Sequence, residues 1–119
     1  MQSRKKALKI PSKVKVGYST FNIESKNSSW KEKTDAVGLC TVDKSLIEYC
    51  AEQTNAELVN TILHEILHAV VYVFDIEFGS ETKEEYFVRK LTNGLHTLFV
   101  DNPEFLSWLV QECKKKNGN

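Results

Sequence analysis

Between Leu58 and Phe74 apolar side chains return every three or four residues: Leu58, Val59, Ile62, Leu63, Ile66, Leu67, Val70, Val71, Val73 and Phe74. That spacing predicts a helix, and the stripe is wide enough that most of the helix surface must be covered by the rest of the chain. Thr54, followed three residues later by Glu57, has the form of a capping box and marks the start. Inside the stripe stands a polar interruption, His64-Glu65-Ile66-Leu67-His68. Two imidazoles four residues apart lie on one helix face, one turn apart, in company with Thr61 and either Val71 or Tyr72. Left unpaired in an apolar helix, such a patch costs free energy. A divalent ion held by both rings satisfies it. The alternative, two ordinary boundary histidines, leaves the fixed offset of Glu65 unexplained.

The order of the other elements sets the fold class. Val14, Val16 and Tyr18 alternate with Lys13, Lys15 and Gly17, and Phe21 and Ile23 alternate with Asn22 and Glu24. Period two over short stretches predicts a strand or hairpin. Residues 25–35 are polar and read as a loop, pinned to the body by Trp30. Val37 to Cys40 and Ser45 to Cys50 read as two short strands. After the histidine helix, Gly79 is a stop and Thr82 with Glu85 offers a second capping box. Phe87, Val88, Leu91, Leu95, Leu98 and Phe99 then predict a helix to about Val100. Asn102-Pro103 breaks it and opens a third helix through Phe105, Leu106, Trp108 and Leu109. Strands first and helices second imply an α+β domain, a small N-terminal mixed sheet packed on the histidine helix, with two further helices after it. Residues 10–113 form this single domain, between a disordered basic arm (1–9) and a frayed tail (114–119).

Composition narrows the function classes. The 119 residues carry 16 basic and 16 acidic side chains, so net charge supplies no general attraction to nucleic acid or membranes. Only the ends are basic, with Arg4, Lys5, Lys6 and Lys9 at one and Lys114, Lys115 and Lys116 at the other. They are read as solvated termini, and a nucleic-acid role is disfavoured. The cysteines, Cys40, Cys50 and Cys113, are odd in number and have no paired spacing, which argues against a disulfide framework. There is no secretory pattern, and no apolar run reaches membrane-spanning length. The expected location is cytoplasmic.

Zn2+ is the ion this donor set serves best. A catalytic zinc site uses three protein ligands and a water. The ion brings the pKa of that water down towards about 7, and a carboxylate placed like Glu65 can take its proton and pass it to a leaving amine. Hydrolysis of a peptide bond is the natural reaction class. Candidates for the third ligand are His96, the one remaining histidine, and Glu81, Glu84 and Glu85 at the start of the next helix. Glu84 and Glu85 each have a claim to an inward face.

His64-Glu65-Ile66-Leu67-His68 followed by Glu84-Glu85-Tyr86-Phe87-Val88 resembles the zincin metallopeptidases of the gluzincin kind, in which the third ligand is a glutamate on the next helix. The likeness is greatest to small metallopeptidase-like proteins of phages and prophages, related in pattern to the ImmA/IrrE and SprT-like groups. It extends over residues 10–110. The resemblance implies a minimal zincin-like domain with His64 and His68 as zinc ligands, Glu65 as general base and Glu85 as third ligand, with Glu84 as the alternative. The chain departs from the SprT-like pattern, since no third histidine follows the motif before His96. Tyr72, Tyr86 and His96 are the candidates for stabilising an oxyanion.

The expected partner is a peptide or protein bound in extended form along an edge strand, taken to be Ser45–Cys50. The competing expectation is a zinc-stabilised, protein-binding module with little or no proteolysis. A small chain gains much from a metal clip.

Overall fold

The computed structural model describes residues 9–115, and its elements run from Lys13 to Cys113. Strand β1 (Lys13–Val16) turns back through Gly17-Tyr18 into antiparallel β2 (Ser19–Lys26), with Val16 opposite Ser19. Gly17 takes φ +60°, which the first position of a type II′ hairpin turn requires and glycine supplies without strain. The alternation seen in the sequence sends Val16, Phe21 and Ile23 to one face, where all three are buried.

The segment 25–35 is not a loop. It holds helix α1 (Ser28–Thr34). Asn27 caps it by accepting a hydrogen bond from the Trp30 N–H at 3.1 Å, and Asp35 closes it at φ 56° with its own N–H donated to the Lys31 carbonyl. Apart from Trp30 its residues are polar, and among those described none in α1 is buried, so no hydrophobic period reveals it. Helix α1 forms part of the crossover that a parallel strand pair requires.

Strand β3 (Gly38–Thr41), a 3-10 turn (Val42–Lys44) and strand β4 (Leu46–Cys50) complete a sheet of order β1-β2-β4-β3. Strand β4 pairs in parallel with β2 and antiparallel with β3. This corrects the expectation that Ser45–Cys50 is the edge: β4 is interior, its Ile47 and Tyr49 are buried, and Ser45 is a turn residue at φ 50°. The edge is β3. Register aligns Ile23, Ile47 and Cys40 across the sheet, and sets Gly38 opposite Tyr49.

Helix α2 (Asn55–Val73) covers the apolar face. Ala69 and Val73 join Val16, Phe21, Ile23, Ile47 and Tyr49 in one core cluster. The expected capping box is formed, with the Thr54 hydroxyl 3.2 Å from the Glu57 N–H and the Glu57 carboxylate 2.9 Å from the Thr54 N–H. By length and composition α2 is apolar enough to cross a membrane, contrary to the expectation from the sequence. Yet its buried residues, Thr61, Glu65, Ala69, Val71 and Val73, lie against the protein, as those of a core helix do.

Asp75 (φ 55°) and Gly79 (φ 87°) reverse the chain into α3 (Glu81–Asp101). Ser80 is the cap, accepting from the Lys83 N–H at 3.2 Å. The expected Thr82–Glu85 box is therefore absent: the helix starts at Glu81, Thr82 is already helical, and Glu85 is free for other partners. Pro103 opens α4 (Pro103–Cys113) as expected, although Asn102 donates its side-chain amide to the Leu98 carbonyl at 2.9 Å instead of capping α4. The architecture is α+β, a small mixed sheet packed against helices.

Candidate metal centre

Helices α2 and α3 run antiparallel, and side-chain pairs record it: Glu84 and Glu85 of α3 meet His68 and His64 of α2, while Asn93 and His96 further along α3 meet Asn60. His64 and His68 occupy successive turns of α2 with ring centroids 4.9 Å apart. Glu85 reaches both. Its Oε1 lies 3.2 Å from His64 Nε2 and 2.9 Å from His68 Nε2. One ligand atom from each of His64, His68 and Glu85 lies within 4.8 Å of the others, an arrangement that can hold a metal ion.

The donor set fits zinc. Two imidazoles and one carboxylate leave a fourth position open, as catalytic zinc sites do. Zinc bonds of ~2.0–2.1 Å in a tetrahedron put neighbouring ligands ~3.3 Å apart. The Glu85 separations are already near that value, and Glu85 is exposed enough to adjust.

Glu84, the alternative third ligand, takes a different place. Its Oε2 stands 2.7 Å from His68 Nδ1, the nitrogen on the far side of the ring from Glu85. Adjacent residues on α3 thus address opposite nitrogens of one imidazole. A carboxylate on Nδ1 fixes the tautomer and leaves Nε2 as the ligating atom.

Glu65 is 8% exposed, between α2 and the edge strand. A Cβ added to Gly38 would lie 2.6 Å from Thr61 Cγ2 and 3.1 Å from Glu65 Oε2, so only glycine allows β3 to come this close. No signal in the sequence marks Gly38, which falls inside the predicted strand Val37 to Cys40. Burial pushes the Glu65 carboxyl up to about 7, the nearby Glu85 charge adding to the effect and His68 opposing it. Burial disfavours the His68 imidazolium, but hydrogen bonds to Glu84 and Glu85 outweigh it and raise the His68 pKa. Burial likewise works against the Glu85 carboxylate, and its bonds to His68 and His64 reverse the balance and lower its pKa. His–Glu contacts thus tie α3 to α2 at the cluster.

The remaining sequence candidates lie off the cluster. His96 sits with Asn60 at 3.5 Å and lines a separate stretch of surface, and Glu81 lines the cleft without touching either histidine at hydrogen-bond distance. Tyr72 is half exposed on the cleft wall. Tyr86 faces a side cavity with Arg89, whose guanidinium is 3.8 Å from Glu85 Oε2.

A His-His-Glu cluster, its histidines half-buried, on packed helices beside a small sheet is consistent with a zincin-like metal-binding architecture. Comparison with protein-family models, with curated proteins and with solved structures gives no match, so no relationship to the ImmA/IrrE or SprT-like groups is supported.

Proposed function

We propose that the protein is a zinc-dependent peptidase in which His64, His68 and Glu85 hold the ion and Glu65 is the general base. One observation carries this reading. The three donors converge beside a buried glutamate at the floor of a cleft of about 650 Å³, and the edge strand β3 forms the cleft's lip. When bound, zinc supplies an acidified water and a polarised carbonyl.

The chain's own residues do the rest. Glu65, buried beside the three donors, is placed to accept a proton and release it to the departing amine. Glu84 holds His68 through Nδ1 and so aims Nε2 at the ion. Strand β3 offers main-chain groups along which an extended peptide can align without a deep pocket. Peptide alignment on β3 replaces the arrangement on Ser45–Cys50 expected from the sequence.

The test is peptide cleavage by the zinc-loaded protein, with and without chelator. Glu65→Gln should keep one zinc per chain and lose turnover by roughly 10²–10⁴-fold. Turnover that survives this substitution removes Glu65 from its role. A protein-binding module stabilised by its metal is the second reading, favoured by the small buried area of α3: only Val88 and Thr92 are buried among its described residues. It predicts that the unaltered zinc-loaded chain cuts no peptide and that chelation undocks α3.

A further inference from the structure

Helix α3 carries a second apolar face that its own chain leaves half open. Val88 and Thr92 are buried against α2. About 100° round the helix from them, Phe87, Leu91, Gly94 and Leu98 follow at intervals of four, three and four, the spacing at which one helix packs along another. Phe87, Leu91 and Leu98 are 46%, 37% and 41% exposed. Gly94 stands in mid-helix, where glycine weakens the helix relative to alanine. The bareness of Gly38 serves a contact inside the fold; that of Gly94 does not, since a Cβ added there meets nothing within 4 Å among the described residues. Against a second backbone the same bareness permits close approach.

Helix α4 continues this surface. Asn102 ties the two helices, its side chain donating to the Leu98 carbonyl at 2.9 Å and its carbonyl accepting from the Leu106 N–H at 3.1 Å. One turn beyond, the Phe105 and Trp108 rings stack with centroids 5.9 Å apart, and Phe105, Trp108 and Val110 stay 44%, 57% and 47% exposed. Among the described residues α4 rests chiefly on α3. Its 11 residues are too few to hold a helix in water unaided. The spread of the molecule agrees: the radius of gyration is 15.9 Å, where a compact chain of this length has ~13 Å.

We infer that α3 and α4 form the face by which two copies of this chain associate about a two-fold axis, α3 running antiparallel to its counterpart with the two Gly94 residues at the crossing. The area suffices. With ~150–250 Å² for an aromatic side chain and ~100 Å² for an aliphatic one, the six exposed side chains leave ~400 Å² of apolar surface. Half-buried Leu106 and Leu109 add to it. One side of a standard homodimer interface has an apolar share of ~500 Å². The charges choose the direction. Lys90 and Asp101 lie on one flank of the seam, within about 20° of each other round the helix. Parallel packing sets Lys90 against Lys90 and Asp101 against Asp101. Antiparallel packing about Gly94 brings Lys90 of one copy within ~4.5 Å, measured along the axis, of Asp101 of the other. The second copy supplies no residue to the metal cluster. It holds α3 from another side and so steadies Glu84 and Glu85. The inference is independent of the peptidase reading.

The experiment is sedimentation equilibrium of the full chain from ~5 to ~500 µM, a range that spans the affinities of small interfaces. The mass should rise from 13.6 kDa towards ~27 kDa. Leu91→Asp and Trp108→Ser should each raise the dissociation constant by at least ~tenfold, and leave the urea midpoint of the dilute, dissociated chain nearly unchanged. Gly94→Gln separates association from folding: it should raise that midpoint, because a helix former replaces glycine in open space, and weaken association by ~tenfold. Lys90→Glu should weaken association by roughly threefold, and Asp101→Lys added to it should restore the original value. A mass that stays at 13.6 kDa throughout overturns the inference and leaves the seam to a different partner. Association indifferent to Leu91→Asp and Gly94→Gln overturns it too, since another face then joins the copies. A charge swap without rescue overturns the antiparallel arrangement.

Discussion

The two halves of the molecule are held by different means. Sheet and α2 share a close-packed core in which Phe21, Ile47 and Ala69 have no solvent exposure. Helices α3 and α4 leave Phe87, Leu98, Val100, Phe105 and Trp108 between 41% and 66% exposed, and among the described residues none of α4 is buried. The contrast falls across the candidate metal centre. His64, Glu65 and His68 belong to the half fixed by hydrophobic packing, whereas Glu84 and Glu85 arrive from the half that is not. The His–Glu contacts therefore do for α3 part of what apolar burial does for α2. An ion bound there would fasten one half to the other.

The largest effect should come from the packed half: Phe21→Ala is expected to cost about 3–5 kcal/mol in urea unfolding. A cost below about 1 kcal/mol would show that the sheet core is not the anchor. Metal removal should come next. At free zinc a hundred to a thousand times the dissociation constant, the ion contributes about 2.7–4.1 kcal/mol. Chelation should raise hydrogen exchange mainly in 81–113 and leave β2 and β4 protected; equal loss throughout would abolish the division. Thiol labelling gives a smaller contrast. Burial, with the charges of Glu65 and Glu84, pushes the Cys40 thiol up to about 12, so at pH 8 it stays protonated and reacts at least ~10-fold more slowly than exposed Cys113. Its rate should rise about tenfold per pH unit without levelling off below that value, and a Cys40 as fast as Cys113 at pH 8 would contradict its partial burial. The smallest effect belongs to the loose half, where Trp108→Ser should shift stability by no more than about 0.5 kcal/mol.

Local pattern carried much of this design. The Leu58–Phe74 stripe, the Thr54–Glu57 box and Pro103 specify α2 and the start of α4 through interactions within a turn or two of themselves. Helix α1 was hidden because its stability comes from the Asn27 cap and contact with the sheet, not from an apolar face. Strand order was hidden because pairing of β4 between β2 and β3 is set by partners distant in sequence. The choice between Glu84 and Glu85 turned on a rotation of about 100° around α3, fixed by how that helix leans on α2. Starting α3 at Ser80 instead of Thr82 then freed Glu85 from capping and left it to the histidines. What the histidine motif could not reveal is that both glutamates serve His68, from opposite sides of its ring.

Gly38 carries no functional group, yet its bare α-carbon lets strand and helix approach within contact distance beside the buried Glu65 carboxylate. A substitution survey that scans only ionisable positions would pass over it. Here a methyl group added to an inert position would act as a wedge, prising apart the jaws that give the nearby acid its unusual character.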